Sequence, residues 1–150
     1  MSLETTINND IKAAMLAKDK VRLESLRSIK AAILLAKTAE GATGELSTDD
    51  ELKMLQKMVK QRKDSAEIYT QQNRNELAEK ELAEAAVIEA YLPKQLTEEE
   101  LIPILKEIAA SAGATSPKDM GKVMGMASKQ LAGKADGKLI AEFVKKILNS

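Results

Sequence analysis

Apolar residues recur along this chain at helical rather than strand spacing. Leu3, Ile7, Ile11 and Met15 stand every four residues and predict a first helix that ends near Lys18. Asp19 is placed to cap a second helix, whose stripe of Leu23, Leu26, Ile29 and Ile33 runs toward a loop at Gly41-Ala42-Thr43-Gly44. Thr48 and Glu51 have capping-box spacing and predict a third helix to about Gln72, with Leu52, Leu55, Val59 and Ala66 on one face and Tyr69 near its edge. The segment Asn73 to Asn75 either breaks this helix before a fourth, carrying Leu77, Leu82, Ala85 and Ile88, or is traversed by one long helix; the pattern allows both. Tyr91-Leu92-Pro93 stops the run, because the residue before a proline is pushed out of the α region.

Beyond Pro93 the texture changes to three short helices. Thr97 and Glu100 form a capping box before Leu101, Pro103 predicts a bend or a late start, and Gly113 marks the C-terminal end. Ser116-Pro117-Lys118-Asp119 is a second start signal, with proline at the first helical position. After the Gly133-Lys134-Ala135 turn, Asp136 is placed to cap a last helix with Leu139, Ile140, Phe143, Val144, Ile147 and Leu148 on a broad apolar face. The expected fold class is therefore all-α, with an N-terminal helical domain over 1–92 and a small C-terminal three-helix bundle over 93–150. The alternative is a single continuous bundle with a proline corner.

Composition narrows the chemistry. Among 150 residues there is no Cys and no His, which removes thiolate nucleophiles, disulfides, imidazole acid/base catalysis and zinc sites with nitrogen or sulfur ligands. No metal, cofactor or catalytic residue is expected. The acidic runs Asp49-Asp50-Glu51 and Glu98-Glu99-Glu100 sit at helix starts, where the dipole already accounts for them. The opening Met1-Ser2-Leu3-Glu4 has no secretory leader pattern, and the longest purely apolar run, Ala31 to Ala36, is too short to cross a membrane. The expectation from these features is a cytoplasmic protein.

Charge is balanced overall, at 23 basic and 23 acidic residues, but uneven along the chain. From Lys12 to Lys37 there are seven basic residues against two acids, and from Lys53 to Lys63 five against none. Lys53, Lys57 and Lys60 share one arc of the third helix, away from its apolar stripe. They form either a solvated face neutralised by neighbours, such as the seven acids between Asp64 and Glu89, or a ridge that meets phosphate. From Gly113 onward seven lysines face three acids, a second candidate patch.

The block Lys118-Asp119-Met120-Gly121-Lys122-Val123-Met124-Gly125, continued by Gly133-Lys134-Ala135-Asp136-Gly137-Lys138, is the most specific stretch. Each helical glycine costs about 1 kcal/mol relative to alanine, so Gly121 and Gly125 are expected to permit close packing of another backbone, while Gly133 and Gly137 suit a tight turn. With Asp19-Lys20-Val21-Arg22-Leu23, Lys60-Gln61-Arg62-Lys63-Asp64-Ser65 and Glu89-Ala90-Tyr91-Leu92-Pro93-Lys94-Gln95-Leu96, this block makes nearly the whole chain resemble the YqeY family. That family shares its C-terminal module with the tail of the Asp-tRNA/Glu-tRNA amidotransferase B subunit. Pro103 and Ala141 depart from the related pattern.

The resemblance implies that the C-terminal bundle is like that tail, which helps hold tRNA, and that Lys118, Lys122, Lys129, Lys134 and Lys138 are the matching phosphate-facing positions. The expected function is a non-catalytic accessory protein whose partner is tRNA or other structured RNA. With so few aromatic residues, recognition would run through phosphate and shape. One alternative is a component of glutamine-dependent amidotransferase activity, a carbon–nitrogen ligase with glutamine as amido-N-donor. Against it, the chain has neither the activated nucleophile nor the phosphate-binding loop that such chemistry needs. Another is a protein-interaction module that grips a protein partner or a second copy through Met120, Met124 and Met126, which otherwise fill the small core. The sequence leaves the oligomeric state open.

Overall fold

A computed structural model describes residues 2–39 and 45–149, and every regular element among them is helical. In chain order these are α1 (Leu3–Ala17), α2 (Lys20–Thr38), α3 (Thr48–Gln71), α4 (Asn75–Glu89), α5 (Glu98–Ser111), a 3-10 turn (Pro117–Asp119), α6 (Met120–Gln130) and α7 (Gly137–Asn149). The chain divides into two compact units, Met1–Leu92 and Pro93–Ser150. The expected glycine loop at 41–44 lies outside the described residues.

Local chemistry explains where the helices start and stop. The Ser2 hydroxyl accepts from the Thr5 amide to cap α1, and the Asp19 carboxylate accepts from the Arg22 amide to cap α2. Between them Lys18 adopts a left-handed conformation, with its amide donating to Met15 and that of Asp19 to Ala14. The cap of α3 is Ser47 rather than the expected Thr48: Ser47 Oγ accepts from the Asp50 amide at 3.1 Å, which places Thr48 inside the first turn. The break between α3 and α4 is real. Asn73 takes φ +60°, and the Arg74 amide reaches back to the Tyr69 carbonyl at 2.8 Å, closing α3 with the amide pattern of a left-handed cap.

In the second unit the Thr97–Glu100 capping box forms as expected. Pro103 produces no late start. The helix begins at Glu98 and runs through exposed Pro103, which has no amide to donate to the Glu99 carbonyl one turn back. Gly113, at φ +68°, ends α5 with paired bonds from its own amide to Ala110 and from the Ala114 amide to Ala109.

The core of the first unit gathers Ile7, Ala14, Leu26, Ile29, Ile33, Leu55, Met58, Val59, Ala85 and Ile88. Two of the expected stripes need correction. Met15 is 54% exposed and Ala14 is buried in its place, while on α4 Leu77 and Leu82 face outward and Ala78 and Ala85 face in. The reason for the second is steric: α4 packs against both α2 and α3, and alanines let the backbones close up where leucines would hold them apart. The second unit has its own core, in which Leu101, Leu105 and Ile108 of α5 meet Val123 and Ala127 of α6 and Ile140, Phe143, Val144 and Leu148 of α7. These are the positions that the sequence pattern marks on α7.

Candidate nucleic-acid interface

The seam of α3 and α4 consumes part of the cationic charge of the first unit. Arg62 Nε lies 3.1 Å from Glu84 Oε2 and 3.9 Å from Glu81 Oε2, an ionic contact without the alignment of a hydrogen bond. Lys63 Nζ pairs with Glu89 at 2.6 Å, and Lys80 of α4 reaches Glu24 of α2 at 3.6 Å. Lys37 and Glu4 join α2 to α1 at 2.8 Å. The acid-rich stretch after Asp64 thus folds back onto the basic stretch before it. Lys53, Lys57 and Lys60 escape this neutralisation. They are exposed on the arc of α3 away from buried Leu55 and Val59, and none forms an ion pair among the described residues.

Behind the seam Tyr91, just past the end of α4, donates its hydroxyl to Asp10 of α1 at 2.5 Å. Burial first, and then the neighbouring Asp10 carboxylate, pushes its phenol up to about 12, with Arg22 opposing. This places the Tyr91 ring in a structural role rather than on an open stacking surface.

The second unit distributes charge differently. Lys118 lies in the 3-10 turn, Lys122 and Lys129 on α6, Lys134 in the turn after it and Lys138 in the first turn of α7; all five are exposed. No ion pair holds any of them among the described residues. Val123 and Ala127 turn one face of α6 into the core, so Lys122 and Lys129 share the outer face, about 10 Å apart along the axis at seven residues' spacing. Lys134 and Lys138 flank the α6–α7 turn. Asp119, next to Lys118, accepts backbone bonds: its Oδ2 accepts from the Thr115 amide at 3.1 Å and the Ser116 amide at 3.3 Å. Those two bonds, the Thr115 bond first, hold its carboxyl below its ordinary value, with the charge of Lys122 adding a smaller pull in the same direction.

Gly121 and Gly125 correct an expectation. Both lie on the exposed face of α6, and a β-carbon at either would meet nothing within 4 Å. They are not packing glycines; they bare the helix backbone between Lys118, Lys122 and Lys129. Gly137, the first residue of α7, is equally open. Gly133 is different, being buried at φ +76°, where any other residue would be strained. Of the methionines, Met120 and Met124 pack against the core and Met126 is 38% exposed.

Two features go beyond the site residues singled out in the sequence. Lys145 and Lys146, counted in the second candidate patch but not among the phosphate-facing positions, are also exposed on α7, with Lys146 Nζ 5.3 Å from the centre of the Phe143 ring. Lys145 stands seven residues after Lys138 and so shares its face, a spacing that would have revealed it. The other is Gln95, whose amide Nε2 donates to the carbonyls of Pro93 at 2.9 Å and Gly133 at 2.6 Å. Nothing in the sequence pattern marks a contact spanning 38 residues.

Comparison with known proteins supplies the family. The chain is similar to fungal proteins named "Altered inheritance of mitochondria protein 41, mitochondrial". It is 43% identical over 90 residues to that of Meyerozyma guilliermondii, covering 58% of this chain and 44% of the relative. Against that of Clavispora lusitaniae it is 38% identical over 120 residues, covering 76% and 69%. Against that of Pyrenophora tritici-repentis it is 30% identical over 146 residues, covering 94% and 78%. The first of these matches spans less than half of the relative's length. The names overturn the cytoplasmic expectation, since these relatives are mitochondrial proteins. Neither the pattern of the opening residues nor the lack of cysteine distinguishes one aqueous compartment from another, which is why the sequence misled on this point. The family model described as "Yqey-like protein" matches residues 4–148, all but the two ends of the chain, and the chain belongs to the YqeY family.

Proposed function

We propose that this chain is a non-catalytic accessory protein that holds structured RNA, such as tRNA, by its phosphates. The observation that carries the reading is the exposed lysine set of the second unit, Lys118, Lys122, Lys129, Lys134 and Lys138, none held in an ion pair among the described residues, around an α6 face that carries no side chain at Gly121 and Gly125. Exposed lysines outside ion pairs can meet a polyanion, and a bare helix backbone lets a phosphate ridge approach more closely than a side-chain-covered one. Lys53, Lys57 and Lys60 form a second cationic contact in the first unit.

Recognition runs through phosphate and shape. Phe143 is buried, Tyr91 is hydrogen-bonded to Asp10, and Tyr69 is half-buried, so no aromatic platform is open for splayed bases. Charge reversal tests the reading directly. Lys118→Glu, Lys122→Glu and Lys134→Glu each weaken tRNA binding and flatten its salt dependence by about one unit per lost phosphate contact. Unchanged affinity and unchanged slope in all three would refute it.

A further inference from the structure

The turn that carries Lys134 is clamped from outside the helices it joins. Gly133 is buried, and its carbonyl accepts from the Gln95 side-chain amide at 2.6 Å. The next carbonyl, that of Lys134, accepts from the Leu96 amide at 2.9 Å, and the Lys134 amide closes the turn onto the Leu131 carbonyl at 2.9 Å. The same Gln95 amide also donates to the Pro93 carbonyl at 2.9 Å. Two consecutive peptide units of the turn are thus tied to the strip that precedes α5, and one side chain, Gln95, spans the gap. Gly133 is left-handed, and a buried carbonyl without a donor is costly; the donor that the structure places on it is the Gln95 side chain.

We infer that Gln95 is a positioning residue for phosphate binding: it fixes the Gly133–Lys134 turn so that Lys134 is presented to the RNA backbone in one orientation. This rests on the reading above and adds to it a residue that carries no charge and makes no contact with RNA. A lysine on a fixed turn loses less freedom on binding than one on a loose turn, so the gain appears as affinity rather than as charge.

A double-mutant cycle on the full chain, with unfractionated tRNA as probe, tests this. Gln95→Met keeps the length and removes both donors, and it is expected to weaken binding about threefold to tenfold while leaving the salt slope nearly unchanged. Lys134→Gln is expected to cost markedly less in the Gln95→Met background than in the unaltered chain, whereas Lys118→Gln costs the same in both. A general loss of structure would shrink both effects together. Thermal melting accompanies each variant, and if Gln95→Met unfolds, Gln95→Asn, which keeps an uncharged amide one methylene too short for the same bridge, carries the cycle. Additivity of Gln95 and Lys134 would overturn the inference while leaving the RNA reading intact. Failure of the unaltered chain to bind tRNA at any salt would overturn the RNA reading, and this inference with it.

Discussion

The α3–α4 pair and the segment from the 3-10 turn through α7 are both lysine-rich, yet they treat their charge in opposite ways. Along α3–α4 the cations nearest the seam are answered by acids from the facing helix, Arg62 by Glu84 and Lys63 by Glu89. Along α6–α7 the seam is apolar, built from Val123, Ala127, Ile140 and Val144, and the lysines stand outside it, none held in an ion pair among the described residues. In the first pair, charge helps to hold two helices together. In the second, packing is left to hydrocarbon and the charge stays on the surface. A local excess of lysine therefore says little until the positions of the acids are known.

The largest expected effect breaks the first half of this contrast. Glu84→Gln leaves Arg62 facing only the more distant Glu81 as an acid and is expected to cost about 1 kcal/mol in denaturant unfolding without altering tRNA binding. A neutral result would mean that the seam charges are decorative and the contrast is weaker than drawn.

Next in size, and opposite in sign, is Gly121→Ala with Gly125→Ala. Each is expected to stabilise the protein by about 0.5–1 kcal/mol, because both sites are helical and a β-carbon there meets open space. If the bare backbone serves RNA, the same pair weakens tRNA binding; stabilisation with unchanged binding would confine the interface to the lysines.

Tyr91 gives a comparable effect with a pH signature. Its phenol is raised from 10.0 to about 12 in the folded chain, so the folded state favours the protonated ring. The stability this confers is fully present below about pH 10 and is lost as pH rises from 10 through 12. Tyr91→Phe is expected to cost about 1 kcal/mol at neutral pH by removing the bond to Asp10 and to flatten the alkaline limb of the pH–stability curve. A limb unchanged by the substitution would show that Tyr91 is not its source.

The smallest effect is acidic. Asp119 is held below its ordinary value, so its contribution is present above the unfolded carboxylate value and lost as pH falls through the lowered one. Asp119→Asn should remove that part of the acid transition, read from melting between about pH 5 and pH 2.

Much of the fold is legible in the sequence because its signals are local. Asp19, the Thr97–Glu100 box, Gly113 and the stripes of α2 and α7 act within a turn or two of their own position, and each does in the structure what its spacing predicts. What is not legible depends on a neighbour. The outward turn of Leu77 and Leu82 follows from α4 being flanked by α2 and α3, the Tyr91–Asp10 bond spans 81 residues, and the Gln95–Gly133 bond spans 38. The candidate site divides the same way. The exposure of its lysines can be read from helical spacing, whereas the openness around Gly121 and Gly125 and the diversion of Asp119 to the backbone emerge only once the chain is folded.

The measurement that tests the central claim most directly is tRNA binding by the full chain across a salt series, with the paired substitution Lys122→Glu and Lys134→Glu set against Lys63→Glu. If the exposed lysines of the second unit meet phosphate, log K falls steeply with salt, the α6–α7 pair lowers affinity and reduces the slope by about two, and Lys63→Glu, at a residue already bound to Glu89, leaves binding nearly unchanged. Equal losses from both substitutions, or no salt-dependent binding at all, would contradict that claim.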